Sequence, residues 1–106
     1  MDYLYCKNMN RTQTIAKLKS YADAIKALGA TSLFLFGSTA RNENNSNSDL
    51  DLFVDYDPTG KFNALDLVDI KLFLKDNLGM EVDVTTRDSL HPMLRDDIEK
   101  SAARVF

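Results

Sequence analysis

The sequence predicts an α+β domain, a small mixed β-sheet covered by helices. Apolar residues recur at steps of three and four over 12–28 and again from Leu65 onward, the spacing of amphipathic helices. Between and after these stretches lie short apolar or alternating runs, Leu33-Phe34-Leu35-Phe36, Leu50 to Val54 and Met80 to Thr85, which have the length and pattern of strands. The two patterns alternate in the order α-β-α-β-α-β-α, and no internal repeat interrupts them.

Each element follows from its residues. From Thr12 to Leu28, the residues Ile15, Leu18, Ala22, Ile25 and Leu28 form one stripe, and Gly29 stands where a helix-ending glycine belongs. Ser32 to Phe36 is the first strand, and it ends abruptly in Gly37-Ser38, which suits a backbone turning sharply with its N–H groups open to a phosphate. Thr39 to about Glu43 is expected as a short helix or turn, and Asn42 to Asn47 as a polar loop. Leu50 to Val54 is the second strand, broken by Asp57-Pro58-Thr59-Gly60. Leu65, Val68, Leu72 and Phe73 make the stripe of a second helix that ends at Leu78-Gly79. Met80 to Thr85 alternates as a third strand, and Pro92 opens a last helix with Met93, Leu94 and Ile98 facing inward.

A chain of 106 residues is expected as one domain over 1–106, with residues 1–11 a mobile N-terminal segment. Its 44% hydrophobic and 27% charged residues are ordinary globular proportions, and its apolar runs are too short to cross a bilayer. Met1 to Cys6 lacks the basic stretch and apolar core of a secretory signal, and a lone Cys6 allows no internal disulfide. Both point to a reducing cytoplasm. Asn10-Arg11-Thr12 and Asn44-Asn45-Ser46 match a glycosylation pattern, which needs a secreted context the chain does not otherwise suggest. A formal net charge of −3, with no dense Lys/Arg run, disfavours general nucleic-acid binding.

The chemistry lies in the acidic residues. Asp49 and Asp51 are two apart in a strand, so they share one side while Leu50, Leu52 and Val54 share the other. Asp83, between Val82 and Val84, is placed on a neighbouring element. Alone, a pair such as Asp49 and Asp51 is an ordinary solvated strand face. Three carboxylates converging at about 4 Å, however, repel by roughly 1 kcal/mol per pair in water and about 4 kcal/mol at an effective dielectric near 20. A divalent cation removes that conflict, and Mg²⁺ prefers such oxygen ligands. The EF-hand pattern fails, because counting from Asp49 puts Val54 where the turn glycine belongs, and no Walker A loop is present. Ser38 is not in a nucleophile elbow, so its hydroxyl is read as a phosphate ligand. Arg41 is one short turn beyond it and within reach of the same phosphate, and Ser48 heads the second motif. His91 has no companion ligand and is read as a helix-entry residue before Pro92, and Cys6 has no partner for nucleophilic work.

Taken together, Gly37-Ser38-x-Ala40-Arg41, Ser48-Asp49-x-Asp51-Leu52 and the later Asp83 resemble the signature of the DNA polymerase β-like nucleotidyltransferases. Val82-Asp83-Val84, Ser89-Leu90-His91-Pro92 and Leu94-Arg95-Asp96-Asp97-Ile98 extend the resemblance to the minimal nucleotidyltransferases of the MntA type, over about residues 12–105. The resemblance implies a polymerase β-like fold and an antitoxin paired with a HEPN-domain toxin, acting by transfer of AMP from ATP to a toxin tyrosine. It assigns Gly37 and Ser38 to the triphosphate, Asp49 and Asp51, both catalytic, to the magnesium ions, expected to be two, and Asp83 to the third metal-binding and catalytic carboxylate; Arg41 and Ser48, beside these motifs, are expected to contact the same nucleotide. Two other readings stand beside it: an antitoxin that acts only by covering its toxin, and a small-molecule nucleotidyltransferase.

Overall fold

The computed structural model describes residues 10–37 and 50–106. Helix α1 (Arg11–Lys19) starts from a capping box, in which the Asn10 side chain accepts from the Gln13 N–H at 2.8 Å and Gln13 accepts from the Asn10 N–H at 3.1 Å. The single helix expected over Thr12 to Leu28 is in fact two, for α2 covers only Ala22–Ala27. The break comes at Ser20-Tyr21. The Ser20 hydroxyl donates to the Lys17 carbonyl, and the Tyr21 N–H turns to the Leu18 carbonyl at 3.0 Å, tightening the last turn out of α-helical register. Meanwhile Tyr21 packs edge-on against Phe73, with ring centroids 5.5 Å apart. The bend lets Leu18 and Ile25 both reach the core. Gly29 follows at φ +114°, where a Cβ would approach the Phe62 ring to 2.7 Å.

The sheet comprises β1 (Ala30–Phe36), β2 (Leu50–Tyr56), β3 (Val82–Thr86) and β4 (Ala103–Arg104), in the order β3-β2-β1-β4. β1 runs antiparallel to β2 and β4, whereas β2 and β3 are parallel, so the sheet is mixed. A parallel pair needs a crossover, which α3 (Ala64–Leu78) supplies. Asn63 and Asp66 cap its start, and Gly79, at φ +69°, ends it in the left-handed conformation. After β3 comes a 3-10 turn, Arg87–Ser89, and then α4 (Pro92–Ser101). β4 was not expected, being too short to show any alternation. It is extended by Val105, whose N–H donates to the Leu33 carbonyl at 2.8 Å.

The main core lies on one face of the sheet. Leu33, Leu35, Leu50, Leu52, Val54, Val82 and Val84 pack there against Leu18, Ile25, Ile70, Leu74 and Leu78 of the first three helices. Two expected stripes are corrected. Leu65, Val68 and Leu72 of α3 point to solvent, and the helix buries Ile70, Leu74 and Leu78 instead, with Leu67 and Phe73 half-buried. The buried set is longer and continues to the last turn, where Leu78 leads directly into β3, so it decides which side of the helix meets the sheet. On α4, Met93 and Leu94 are exposed, and only Ile98 of the three expected inward residues is half-buried. Among the described residues no helix is long and apolar enough to cross a membrane.

The two sides of α3 should therefore respond differently to truncation. Leu74→Ala is expected to lower the unfolding free energy by about 2–5 kcal/mol, and Val68→Ala by no more than about 0.5 kcal/mol, in urea titrations of the two variants.

Candidate active site

Strand register assembles the candidate site. Leu35 pairs with Leu52 and Leu52 with Val84, all three on the core face. One residue away on each strand, Phe36 pairs with Asp51 and Asp51 with Asp83, so these side chains point to the opposite face. Adjacent strands lie about 4.8 Å apart, which brings the two carboxylates alongside one another. Asp51 is half-buried and Asp83 exposed, and no side chain among the described residues bonds Asp83.

The end of β1 is shaped around Asp51. Gly37 adopts φ +79°, and a Cβ built there would collide with Oδ2 of Asp51 and lie 3.3 Å from its Cβ and Cγ. Both observations require glycine: the backbone is left-handed, and it passes directly over the carboxylate. The space a side chain would fill is taken by the Asp51 carboxylate itself.

Beside the carboxylates, on the same sheet face, lies an aromatic cluster. Phe34 stacks on Phe53 at 4.8 Å, and Phe36 leans on Phe53 at 5.7 Å. Arg87 covers this cluster away from the carboxylates, its guanidinium carbon 4.8 Å above the Phe34 ring and 5.1 Å above Phe53. Its Nε and Nη2 donate to the two Asp55 oxygens at 2.8 and 3.0 Å, a bidentate pair, and its Nη1 donates to Glu99 of α4 at 2.7 Å. Asp55 first, and then Glu99, push the Arg87 guanidinium further above its already high range, while Arg87 holds the Glu99 carboxyl below the usual carboxylate value. At the far end of β2, the Tyr56 hydroxyl donates to Asp88 at 2.7 Å, beside a cavity of about 180 Å³ lined by Asp55, Tyr56, Arg87, Asp88 and Arg95. Five residues of strand separate Tyr56 from Asp51, about 16 Å, so this cavity is no part of the carboxylate site.

Of the residues expected to form the site, the structure brings together Gly37, Asp51 and Asp83. Ser38, Arg41, Ser48 and Asp49, with the Thr39 to Glu43 turn and the Asn42 to Asn47 loop, lie outside the described residues, as do residues 1–9. Among the described residues no group of three metal-binding side chains forms. The two that are present nevertheless suit a hard cation. Both are carboxylates, they sit side by side, and the Gly37 backbone packs directly against one of them. Arg87 escaped the sequence reading. Its parity with Asp83 and Thr85 was a signal for the same face, but the pairing with Asp55 and Glu99 joins three elements and has no local mark.

A profile of the nucleotidyltransferase domain matches residues 18–105. The chain belongs to that family. A Methanocaldococcus jannaschii protein, named as a candidate protein adenylyltransferase, is 47% identical over 72 residues, covering 68% of this chain and 75% of the relative. The solved structure of a candidate minimal nucleotidyltransferase is similar with a TM-score of 0.76 at 32% identity, over 90% of this chain and 95% of that one. A structure described as a tri-AMPylated Shewanella oneidensis HEPN toxin in complex with its MNT antitoxin has a TM-score of 0.60 at 14% identity, over 83% of this chain and 68% of that one. That last likeness shows the fold alone. The α+β architecture is thus the polymerase β-like nucleotidyltransferase fold, with the paired carboxylates on the sheet face away from the main core.

A test of the site geometry follows from Gly37. Gly37→Ala is expected to abolish most nucleotidyl transfer, because the new methyl group displaces the Asp51 carboxylate, and to lower the melting temperature through backbone strain of about 1 kcal/mol or more. Steady-state rates and thermal melts of the variant check both.

Proposed function

We propose that this nucleotidyltransferase is a Mg²⁺-dependent protein adenylyltransferase that moves AMP from ATP to a tyrosine hydroxyl of a partner HEPN toxin and so neutralises it. The observation that carries this reading is the register pairing of Asp51 with Asp83, beside a glycine whose lack of a side chain makes room for the Asp51 carboxylate. The names of its relatives point to protein adenylyl transfer, and the neighbour complex pairs a similar fold with an AMPylated HEPN toxin. In this reading residues 1–106 act as one domain, and the lone Cys6 suits a cytoplasmic location.

Asp51 and Asp83, with Asp49, would hold the metal ions, and Gly37, Ser38, Arg41 and Ser48 would take the triphosphate. Bound there, magnesium would neutralise charge on the phosphates and favour the deprotonated acceptor. The residues of the chain do the rest. The backbone at Gly37 lets the triphosphate come close to Asp51, which orients the α-phosphorus for in-line attack. Asp83, at the edge of the sheet, faces the side from which the acceptor arrives, and its carboxylate can take the phenolic proton. The tyrosine oxygen bonds to the α-phosphorus, the bond to the bridging oxygen breaks, and pyrophosphate leaves. Phe36 and Phe53 stand beside Asp51 on the same sheet face, so one flank of the site is apolar.

Incubation of the chain with a HEPN partner, ATP and Mg²⁺ is expected to add the mass of AMP to a partner tyrosine, read by mass spectrometry. Asp51→Asn and Asp83→Asn should each slow the transfer by more than about 100-fold, the several kcal/mol that a misplaced cation forfeits, while circular dichroism shows the fold retained. A stable complex that gains no mass would show an antitoxin acting by binding alone.

A further inference from the structure

Helix α3 is apolar on two opposite sides. Ile70, Leu74 and Leu78 face the sheet, whereas Leu65, Val68 and Leu72 stand 73%, 48% and 51% exposed on the far side. A helix that is apolar all round is one that ends up covered all round. The three outward residues are spaced by three and then four, which makes them positions a, d and a of a heptad. In that lettering Asp69 and Asp76 are e positions and Lys71 is a g position. The seam is thus flanked by acid on one side and base on the other. Asp69, Lys71 and Asp76 take part in no ion pair among the described residues, while Lys75, at the next d position, pairs with Glu81 at 3.1 Å.

The flanking charges choose the partner and its direction. In an antiparallel pair of α3 helices g meets g and e meets e, which sets Lys71 against Lys71 and Asp69 against Asp76. In a parallel pair each g meets the e of the partner's following heptad, which sets Lys71 of each copy against Asp76 of the other. Such a pattern complements itself under a two-fold axis along the helices.

We propose that the outer side of α3 is the contact surface for a second copy of this chain, packed parallel through Leu65, Val68 and Leu72 and bracketed by two Lys71–Asp76 pairs. The contact does not depend on the transfer reaction. Three side chains per copy cover far less than the roughly 800 Å² per partner of a stable interface, so the dimer is weak and depends on concentration. Because α3 runs towards the start of β3, a parallel dimer carries both Asp51–Asp83 sites at one end. An acceptor with two-fold symmetry could meet both at once.

Sedimentation velocity over a concentration series tests the contact. The wild-type sedimentation coefficient should rise with concentration, Leu72→Glu or Lys71→Glu should raise the dissociation constant about tenfold or more, and Lys71→Glu combined with Asp76→Lys should restore most of the affinity. Circular dichroism establishes that each variant folds. In a Cys6→Ser background, Leu65→Cys should form an intermolecular disulfide readily, since a parallel seam places the two residues opposite one another. A wild-type chain that stays monomeric at its highest soluble concentration overturns the proposal, as does failure of the charge reversal to restore association. If the chain is monomeric alone and the same substitutions weaken its binding to a HEPN protein, the surface belongs to that partner instead.

Discussion

Strand register holds two carboxylates side by side, Asp51 of β2 and Asp83 of β3, and like charges so placed repel one another. Asp51 and Asp83 are partners in the only parallel strand pair among the described residues, and neither can move away without shifting β2 against β3. A slip by one residue would turn either Leu50, Leu52 and Val54 or Val82 and Val84 out of the core, depending on which strand moved, so the apolar face of the sheet enforces the acidic one. Between two such charges about 4 Å apart the repulsion is of order 1 kcal/mol in water and larger where water is excluded. A bound cation reverses its sign. Folding and the placing of the two carboxylates are therefore one event: the leucines and valines that bury the sheet also set the spacing of Asp51 and Asp83.

The aromatic face solves the complementary problem of closing one end of the sheet while leaving the other open. Phe34, Phe36 and Phe53 form a continuous cluster, yet α4 brings few apolar groups to cover it, since Met93 and Leu94 point away. Arg87 covers it instead. Its planar group stacks on two rings, and its three bonded nitrogens tie β2 to α4 through Asp55 and Glu99. Because the pair is partly sheltered and bidentate, it has the geometry in which an ion pair contributes more than an exposed one does. The clamp covers Phe34 and Phe53 and does not reach Phe36, the strand partner of Asp51.

What could be read from the sequence was what has a short period. Alternation in Leu50 to Val54 and in Val82 to Thr85 placed Asp51 and Asp83 opposite the core, and the structure agrees. The glycine after Phe36 was also readable, because a left-handed turn has few other candidates. Three features failed for a common reason. The break at Ser20-Tyr21, the phase of α3 and the short β4 are settled by contacts between distant elements, such as Tyr21 on Phe73 and Val105 on Leu33. On α3 the sequence carries two apolar stripes, and periodicity alone cannot say which of them meets the sheet. Ser38, Arg41, Ser48 and Asp49 lie outside the described residues, so their proposed roles rest on the motif alone.

The central claim is that Asp51 and Asp83 share a cation that the nucleotide also touches. Electron paramagnetic resonance with Mn²⁺, which takes the same carboxylate ligands as Mg²⁺, measures this directly by counting free metal as protein and ATP are added. The account predicts that the wild-type chain takes up Mn²⁺ more tightly with ATP than the nucleotide does alone, and that Asp51→Asn and Asp83→Asn each weaken that uptake about tenfold or more. Equal Mn²⁺ uptake by the wild-type chain and both variants would contradict it.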